Sequence, residues 1–296
     1  AAGIEDEART ATAGVVEEVR ASAVVGDDDG TGRAAIGFED EAAVVSDRRG
    51  AGRARVREHD RRIVGDGGAA RGAGAVLYED SRVLRVESTD GVVAHTERGV
   101  VRARMGVLAC DALLDGLEPR IAGRIMPVAN YIATTAPLPD PQKLIADHLA
   151  VSDSRFVVNY FRMTEDGRLL FGGGERYTPA PPADIKAFVR KHMASIFPQL
   201  HDVRIDHAWG GVVSISMSRL PHIGRLGDLF FAHGYSGQGV LLPALAGKVL
   251  AEAMSGTAER FDVLAGIAPS EFPGGAALRS PLYVLGMLWY ALRDRL

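Results

Sequence analysis

The sequence has little cysteine, little net charge and no long apolar run, and each shortage excludes a class of protein. Its one cysteine, Cys110, rules out an intrachain disulfide and a multi-cysteine metal cluster. The net charge of −4 argues against an electrostatic nucleic-acid binder, which carries a basic surplus. The longest apolar segment, Leu282–Leu292, is far shorter than the roughly 20 residues that span a bilayer. What remains is a globular protein of ordinary composition, with 47% hydrophobic residues.

Several catalytic and targeting signatures are also absent. The sequence has no H-E-x-x-H, Walker A or G-x-S-x-G motif and no ligand set at metal spacing, so it predicts no metal site. The acidic first residues hold no apolar stretch, which predicts no signal peptide and a cytoplasmic location. The apolar segment 282–292, with Arg293 and Arg295 after it, leaves two interpretations. It docks on its own domain, which we favour, or it contacts a membrane surface or a partner.

The most informative segment joins a short apolar run to a helical pattern through glycines. Leu229–Ala232 is followed by three glycines and then by apolar residues at helical spacing from Val240 onward. When a strand leads through a glycine turn into a helix, the helix N-terminus and several free backbone N–H groups point towards one spot. Such a spot suits a group that carries or develops negative charge. An ordinary βα turn is the other interpretation, since short glycine motifs often match by chance. The glycines are Gly234, Gly237 and Gly239.

The residues of this segment carry a family resemblance. LPHIGRLGDLFFAHGYSGQGV resembles the closing segment of FAD-dependent oxidoreductases of the D-amino-acid-oxidase type, in particular the gamma-glutamylputrescine oxidoreductase group of amine oxidoreductases. The likeness runs from about Val107 to Leu296, through GLEPRIAGRIMP, FVVNYFRMTEDGRLLFGGGERYT and AWGGVVSISMSRLPHIG. It implies an α/β (α+β) fold, in which a Rossmann-like FAD/NAD(P)-binding domain is interleaved with an antiparallel-sheet substrate domain. It also implies FAD as the cofactor.

The N-terminal third departs from that family pattern. The apolar runs Ala23–Gly26 and Ala42–Asp47 flank a glycine-rich turn and a short helix, which is a βαβ outline. By resemblance, Gly26, Gly30 and Gly32 would approach the FAD pyrophosphate, and Asp47 would hold the ribose hydroxyls.

Three consecutive carboxylates, Asp27 to Asp29, occupy the centre of this fingerprint. Each would repel a phosphate by about 1 to 4 kcal/mol at a separation of about 4 Å. Either the loop is remodelled, or FAD binds weakly at this end. The interval Arg48–Ala75 is also short and rich in Gly, Ala and Arg, where family members carry a long helical section. The sequence therefore predicts a shortened N-terminal part.

The rest of the chain reads as strands with one covering helix. Four alternating segments between Val76 and Met105 predict a β-meander, and Pro182–Phe197 has the pattern of an amphipathic helix over further strands. Gly172–Gly174 is interpreted as a turn. We expect a first FAD-binding part at 1–128, a substrate domain at 129–213, a closing FAD-binding part at 214–262 and a tail helix at 263–296.

The resemblance assigns cofactor contacts along two segments. The backbone at Val83 would contact adenine, and the strand that ends near Ala109 would pass under the ribityl chain. The glycine turn would face the N1/C2 edge of the flavin and stabilise the reduced anion. The turn residues are Gly234, Tyr235, Ser236, Gly237, Gln238, Gly239 and Val240.

Candidates on the substrate side come from alternation and from the turn's neighbours. Tyr160 and Arg162 alternate with Phe161 and would project to one face; the alternative is a polar sheet edge. Trp209 would wall the pocket or pack in the core. His222 is a candidate catalytic group or a structural histidine.

The function predicted is oxidation of a primary or secondary amine by hydride transfer to FAD, with oxygen or an electron carrier as the final acceptor. Val213 stands where amino-acid oxidases of the superfamily carry an arginine for the substrate carboxylate, which favours an amine over an α-amino acid. The alternative is a non-catalytic, shortened paralogue that has lost tight FAD binding. An interaction module acting through the apolar tail is a weaker third hypothesis.

Overall fold

The computed structural model describes residues 23–26, 43–44, 70, 75–78, 80–114, 116–146, 149–155, 157–176, 181–275 and, in the tail, 278, 281–282, 284–286 and 289. The predicted cofactor residues Gly30, Gly32 and Asp47 lie outside these residues, as do Asp27 to Asp29 and most of the apolar tail. Within the described part, no helix combines the length and the apolar character needed to cross a membrane.

The strands and helices of the described residues have the following bounds. The first strands are β1 (Ala23–Gly26), β2 (Ala43–Val44), β3 (Leu77–Tyr78), β4 (Val83–Ser88), β5 (Val92–Thr96), β6 (Val100–Ala103) and β7 (Met105–Leu108). The later strands are β8 (Ile125–Thr135), β9 (Val151–Ser152), β10 (Tyr160–Met163), β11 (Leu169–Arg176), β12 (Ile205–Ser216), β13 (His222–Leu226) and β14 (Leu229–His233). The α-helices are α1 (Pro119–Ala122), α2 (Pro141–Leu144), α3 (Ile185–Ile196), α4 (Leu241–Met254) and α5 (Glu259–Ala265), with 3-10 turns at Asp111–Leu114 and Pro198–Leu200.

The first sheet has the strand order β1-β7-β14-β13 and contains the strand that precedes the glycine turn. Strands β7 and β14 run parallel, with Phe231 beside Leu108. Both are largely buried and, apart from His233 at the end of β14, apolar, because both of their faces are covered. Helices α4 and α5 pack on one face around Phe230 and Phe261. The sheet β4-β5-β6 packs on the other face around Val92. Since parallel strands share an edge at their carboxyl ends, the segments after β7 and β14 meet there.

Strand β1 departs from the predicted βαβ unit. It pairs with β7 in the antiparallel direction, so Gly26 lies beside Met105 at the edge opposite to Gly234. Strand β2 pairs with β3 rather than continuing this sheet. Antiparallel pairing needs no crossover of a dozen residues and is slightly more stable per residue than parallel pairing. The expected parallel arrangement of the first two strands is therefore not formed by the described residues.

The second sheet is antiparallel throughout and has the order β12-β8-β11-β10-β9. Helix α3 covers one face, where Val189 and Met193 pack against Tyr131, Leu169 and Phe171. Asp184 caps the start of α3 by accepting a hydrogen bond from the Ala187 N–H. The predicted antiparallel sheet with one covering helix is thus present.

The longest strands, β8 and β12, cross the predicted domain boundaries at 128/129 and 213/214. They pair along almost their whole length. One end of this pair lies under α3, and the other end reaches the segment that follows β14. The two halves therefore share these strands, and the four-part domain division stays a prediction.

The glycine run Gly172–Gly174 is part of strand β11, not the turn that the sequence predicted. The register with β8 shifts between Gly172 and Glu175, so the run forms a bulge inside the strand. At Gly172 a Cβ atom would overlap the Tyr160 ring on the neighbouring strand. Glycine is needed at this position because the Tyr160 side chain packs directly against the backbone. The local sequence alone does not distinguish a glycine needed for such packing from one needed for a turn.

We expect Gly172→Ala to destabilise the chain by about 1 to 3 kcal/mol, the usual cost of overpacking. The added methyl must displace the Tyr160 ring from its place across β11. Urea unfolding of the purified variant measures the change. The matched control is Gly211→Ala on β12, where an added Cβ would meet nothing within 4 Å. Equal stability of the two variants would contradict this packing argument.

Candidate cofactor site

The turn after β14 has a backbone that few side chains tolerate. The angle φ is positive at Gly234 (75°), Ser236 (53°) and Gly237 (92°). A Cβ at Gly234 would approach Ile125 Cγ2 to 3.2 Å. The Ser236 N–H donates to the Ser214 carbonyl at 2.8 Å, which ties the turn to the end of β12. The glycine pattern therefore reflects a tight turn that joins both sheets.

Helix α4 starts at this turn with an open N-terminus. Its N-cap residue, Val240, supplies no side-chain hydrogen bond, and Val240 and Leu241 are 89% and 71% exposed. Within the described ranges, the N–H groups of Gly237, Gly239 and Val240 have no hydrogen-bond partner. Such orphan amides, together with the positive end of the helix dipole, attract negative charge.

The sequence analysis missed a residue at this turn. Asp111 follows β7 with φ at +40°, and its Oδ1 atom accepts a hydrogen bond from the Gly234 N–H at 2.8 Å. Burial raises the pKa of the Asp111 carboxyl, against the opposing hydrogen bonds from the amides of Gly234, Ala112 and Tyr235. The sequence signal that could have identified Asp111 is its position: an acidic residue directly after a buried strand, at the sheet edge where β7 and β14 both end.

These features fit the flavin end of FAD. The free amides supply donors for a ring edge that becomes negative, and the exposed side chains of Val240 and Leu241 supply apolar surface beside them. Gly237 has open space where a Cβ would stand, so a ring can approach its backbone. Gly234 to Val240 are the residues that would hold this end of the cofactor.

The other predicted cofactor residues lie apart from the turn or outside the described part. Gly26 lies at the opposite edge of the first sheet. Val83 is buried at the start of β4, and Ala109 lies between β7 and Asp111. Their contacts with FAD stay predictions.

Tyr160, Arg162 and Trp209 lie on the face of the second sheet opposite to α3. The pairing registers place Tyr160, Gly172, Ile132 and Trp209 in one row across four strands. The Tyr160 hydroxyl donates to Asn130 Oδ1 at 2.6 Å. Trp209 is 43% exposed, so it lines a surface rather than the core. The structure therefore places three of the four predicted catalytic residues on one face of this sheet, with β8 and β11 between Trp209 and the other two.

His222, the fourth, is buried in the first sheet. Its Nδ1 lies 2.8 Å from Nε2 of His233, and its ring packs edge-on against Phe231. Burial lowers the pKa of His222 to about 4 and that of His233 to about 3, so both rings are neutral at pH 7. A proton-transfer role for His222 stays a prediction, since the ring lies behind the turn rather than on the face with Tyr160.

No group of three or more His, Cys, Asp or Glu side chains in the described ranges could hold a metal ion.

Comparison with known proteins identifies the family to which this fold and turn belong. Residues 59–253 match the model of the FAD dependent oxidoreductase family. This chain belongs to that family, whose cofactor is FAD.

Two curated relatives match most of the chain. A probable oxidoreductase OrdL of Rhizobium meliloti (strain 1021) is 42% identical over 79% of this chain and 55% of its own length. The gamma-glutamylputrescine oxidoreductase of Escherichia coli (strain K12) is 39% identical over 79% of this chain and 56% of its own length. The chain thus spans about half the length of these relatives.

Solved structures share the fold at low sequence identity. The glycine oxidase of Bacillus cereus ATCC 14579 aligns with a TM-score of 0.56 and 18% identity, over 69% of this chain and 56% of that one. The L-proline dehydrogenase of P. horikoshii aligns with a TM-score of 0.52 and 23% identity, over 62% and 52%. The α/β (α+β) fold class expected from the sequence is confirmed.

Proposed function

We propose that this chain oxidises the C–N bond of a primary or secondary amine of the gamma-glutamylputrescine type, with FAD as hydride acceptor. The observation that carries the proposal is the uncapped N-terminus of α4 behind the glycine turn. The relative named gamma-glutamylputrescine oxidoreductase, 39% identical to this chain, supports the choice of an amine.

The amides of the turn contribute the electrostatic part of the reaction. Bound FAD would supply the electron-accepting chemistry. The N–H groups of Gly237, Gly239 and Val240 and the dipole of α4 would stabilise negative charge at the edge they face. Because these donors are held before any ligand arrives, they need little rearrangement.

The open face of the second sheet would position the amine. Tyr160 is held by Asn130, and Trp209 presents an exposed aromatic surface in the same row of side chains. Arg162 is exposed one row further along. Val213 packs with Phe272 in an apolar cluster, so it offers no anchor for a carboxylate next to the reacting carbon. This surface favours an amine over an α-amino acid.

Titration of the purified chain with FAD, followed by anaerobic addition of amines, tests the proposal. We expect saturable binding, the yellow absorbance of a flavoprotein, and bleaching by gamma-glutamylputrescine or another primary or secondary amine. If oxygen is the final electron acceptor, readmitting oxygen restores the colour. If the colour does not return, the acceptor is an electron carrier. Bleaching by α-amino acids but not by amines would contradict the assigned donor.

One observation favours the second candidate, a non-catalytic paralogue without tight FAD binding. The antiparallel direction of β1 places Gly26 at the edge away from the turn. Calorimetry with FAD separates the two candidates: micromolar or tighter binding favours the enzyme, and no detectable heat favours the paralogue.

A further inference from the structure

The carboxylate of Asp111 is held in an unusual way. The residue combines a left-handed backbone, which is uncommon outside glycine, with burial, which is unfavourable for a carboxylate. The groups that stabilise its negative charge are backbone amides from its own turn and from the turn after β14, together with the Ser214 side chain. Strain and burial of this kind persist only where the surrounding structure enforces them.

The Asp111 carboxylate joins two chain segments that are distant in sequence. Asp111 begins the 3-10 turn after β7, and Gly234 begins the glycine turn after the neighbouring strand β14. A carboxylate that accepts backbone N–H groups forms shorter and stronger hydrogen bonds than a neutral acceptor. Asp111 thus ties the two strand ends together at the base of the turn.

The amides that Asp111 binds differ from the amides that remain open. Asp111 accepts from the Gly234 N–H at the start of the turn, and the neighbouring Tyr235 amide also stabilises its charge. At its end, the N–H groups of Gly237, Gly239 and Val240 have no hydrogen-bond partner among the described residues. The carboxylate therefore does not compete for the open donors, and it fixes the segment from which they project.

We propose that Asp111 is a positioning residue, which holds the turn in the shape that directs the Gly237, Gly239 and Val240 amides towards the flavin. This inference rests on the proposed function, because the ligand of those amides is the cofactor assigned there. Asp111 acts through the turn and not on the substrate.

Two substitutions separate the hydrogen bond from the backbone strain. Asp111→Gly removes the acceptor and tolerates the positive φ without strain. Asp111→Asn keeps an acceptor oxygen, and asparagine also adopts left-handed backbone readily. The matched control is Asp228→Ala, which removes an exposed carboxylate that accepts the Gly91 N–H at the other end of β14.

Amide hydrogen exchange of the ligand-free chain and FAD titration are the readouts. In Asp111→Gly we expect faster exchange at Gly234 and Tyr235 and FAD binding weaker by about 10- to 100-fold. In Asp111→Asn we expect largely restored protection and affinity, together with a raised flavin midpoint potential, since one negative charge is removed. Asp228→Ala should behave like the unsubstituted chain.

The outcomes distinguish this inference from the proposed function. If the unsubstituted chain binds FAD and Asp111→Gly changes neither exchange nor affinity, the role of Asp111 is overturned alone. If a folded Asp111→Asn loses affinity as far as Asp111→Gly does, positioning by the hydrogen bond is overturned. If the unsubstituted chain binds no FAD, the proposed function is overturned as well.

Discussion

Val240→Glu is expected to abolish tight FAD binding while leaving the ligand-free chain at least as stable as before. Val240 is the exposed N-cap of α4, so a longer side chain meets no packed neighbour. A carboxylate at a helix N-terminus usually stabilises the helix by about 0.3 to 1 kcal/mol. The same charge would repel the flavin edge by about 1 to 4 kcal/mol at a separation of about 4 Å, and more once that edge is reduced. Stability and affinity therefore change in opposite directions.

Thermal unfolding of the ligand-free protein and FAD titration measure the two effects. Val240→Gln has nearly the same shape without the charge and should lose little affinity. Val263→Glu adds the same charge at an exposed position in the last turn of α5 and should leave FAD affinity unchanged. Unchanged FAD affinity in Val240→Glu would mean that the N-terminus of α4 does not face the cofactor.

The turn after β14 could be predicted because its determinants are local. Gly234 and Gly237 have positive φ, and the apolar strand and helix around them follow their own sequence patterns. The covering helix α3 is similar, since its buried residues recur at helical spacing from Ile185 to Ile196. Long-range partners are not needed to recognise either feature.

The position of the substrate face could be predicted only in part. Alternation along β10 places Tyr160 and Arg162 on one face, but the sequence does not say which strands lie beside it. Trp209 on β12 lies in the same row as Tyr160 on β10 because of the register in which the two intervening strands, β8 and β11, pair. The interpretation of Gly172–Gly174 as a turn failed for the same reason, because the need for glycine arises from the Tyr160 ring on another strand.

Asp111 and the partner of His222 depend on contacts between distant segments. Asp111 meets Gly234 across 123 positions of sequence, and only strand order brings them together. His222 and His233 face each other because β13 and β14 form a hairpin in which these two residues are paired. As an isolated histidine in the sequence, His222 is a candidate catalytic group but more often such a residue is structural. As half of a buried pair, it has a definite consequence for stability.

The buried histidine pair is expected to make the chain lose stability steeply as the pH falls below 6.5. In the unfolded chain each ring takes up a proton near pH 6.5, whereas burial lowers the pKa of His222 to about 4 and that of His233 to about 3. The unfolded state therefore binds more protons between pH 6.5 and 4, and acid favours it. Each histidine contributes about 1.4 kcal/mol per pH unit in this window, so His222 alone accounts for about 3 kcal/mol.

His192 acts in the same window and with the same sign, because burial lowers its pKa as well. The remaining groups with shifted pKa values act outside this window or with the opposite sign. The pKa values of Glu118 and Asp206 are lowered by their arginine partners, so their contributions are lost only at more acidic pH. The raised pKa of Asp111 has the reverse effect, because protonation relieves a buried carboxylate. The stability that Asp111 gains on protonation offsets at most the loss that one of the two histidines causes.

Urea unfolding at pH 7, 6 and 5 measures the slope of the unfolding free energy against pH. His222→Gln removes one titrating ring and leaves an amide that can still form a hydrogen bond with His233. The slope of the unfolding free energy against pH should therefore fall by the contribution of about one proton. His207→Gln on β12, which replaces an exposed histidine, is the matched control variant. If His222→Gln keeps the slope of the unsubstituted chain, the two rings are not buried together in the neutral state, and the arrangement of β13 against β14 behind the flavin turn is wrong.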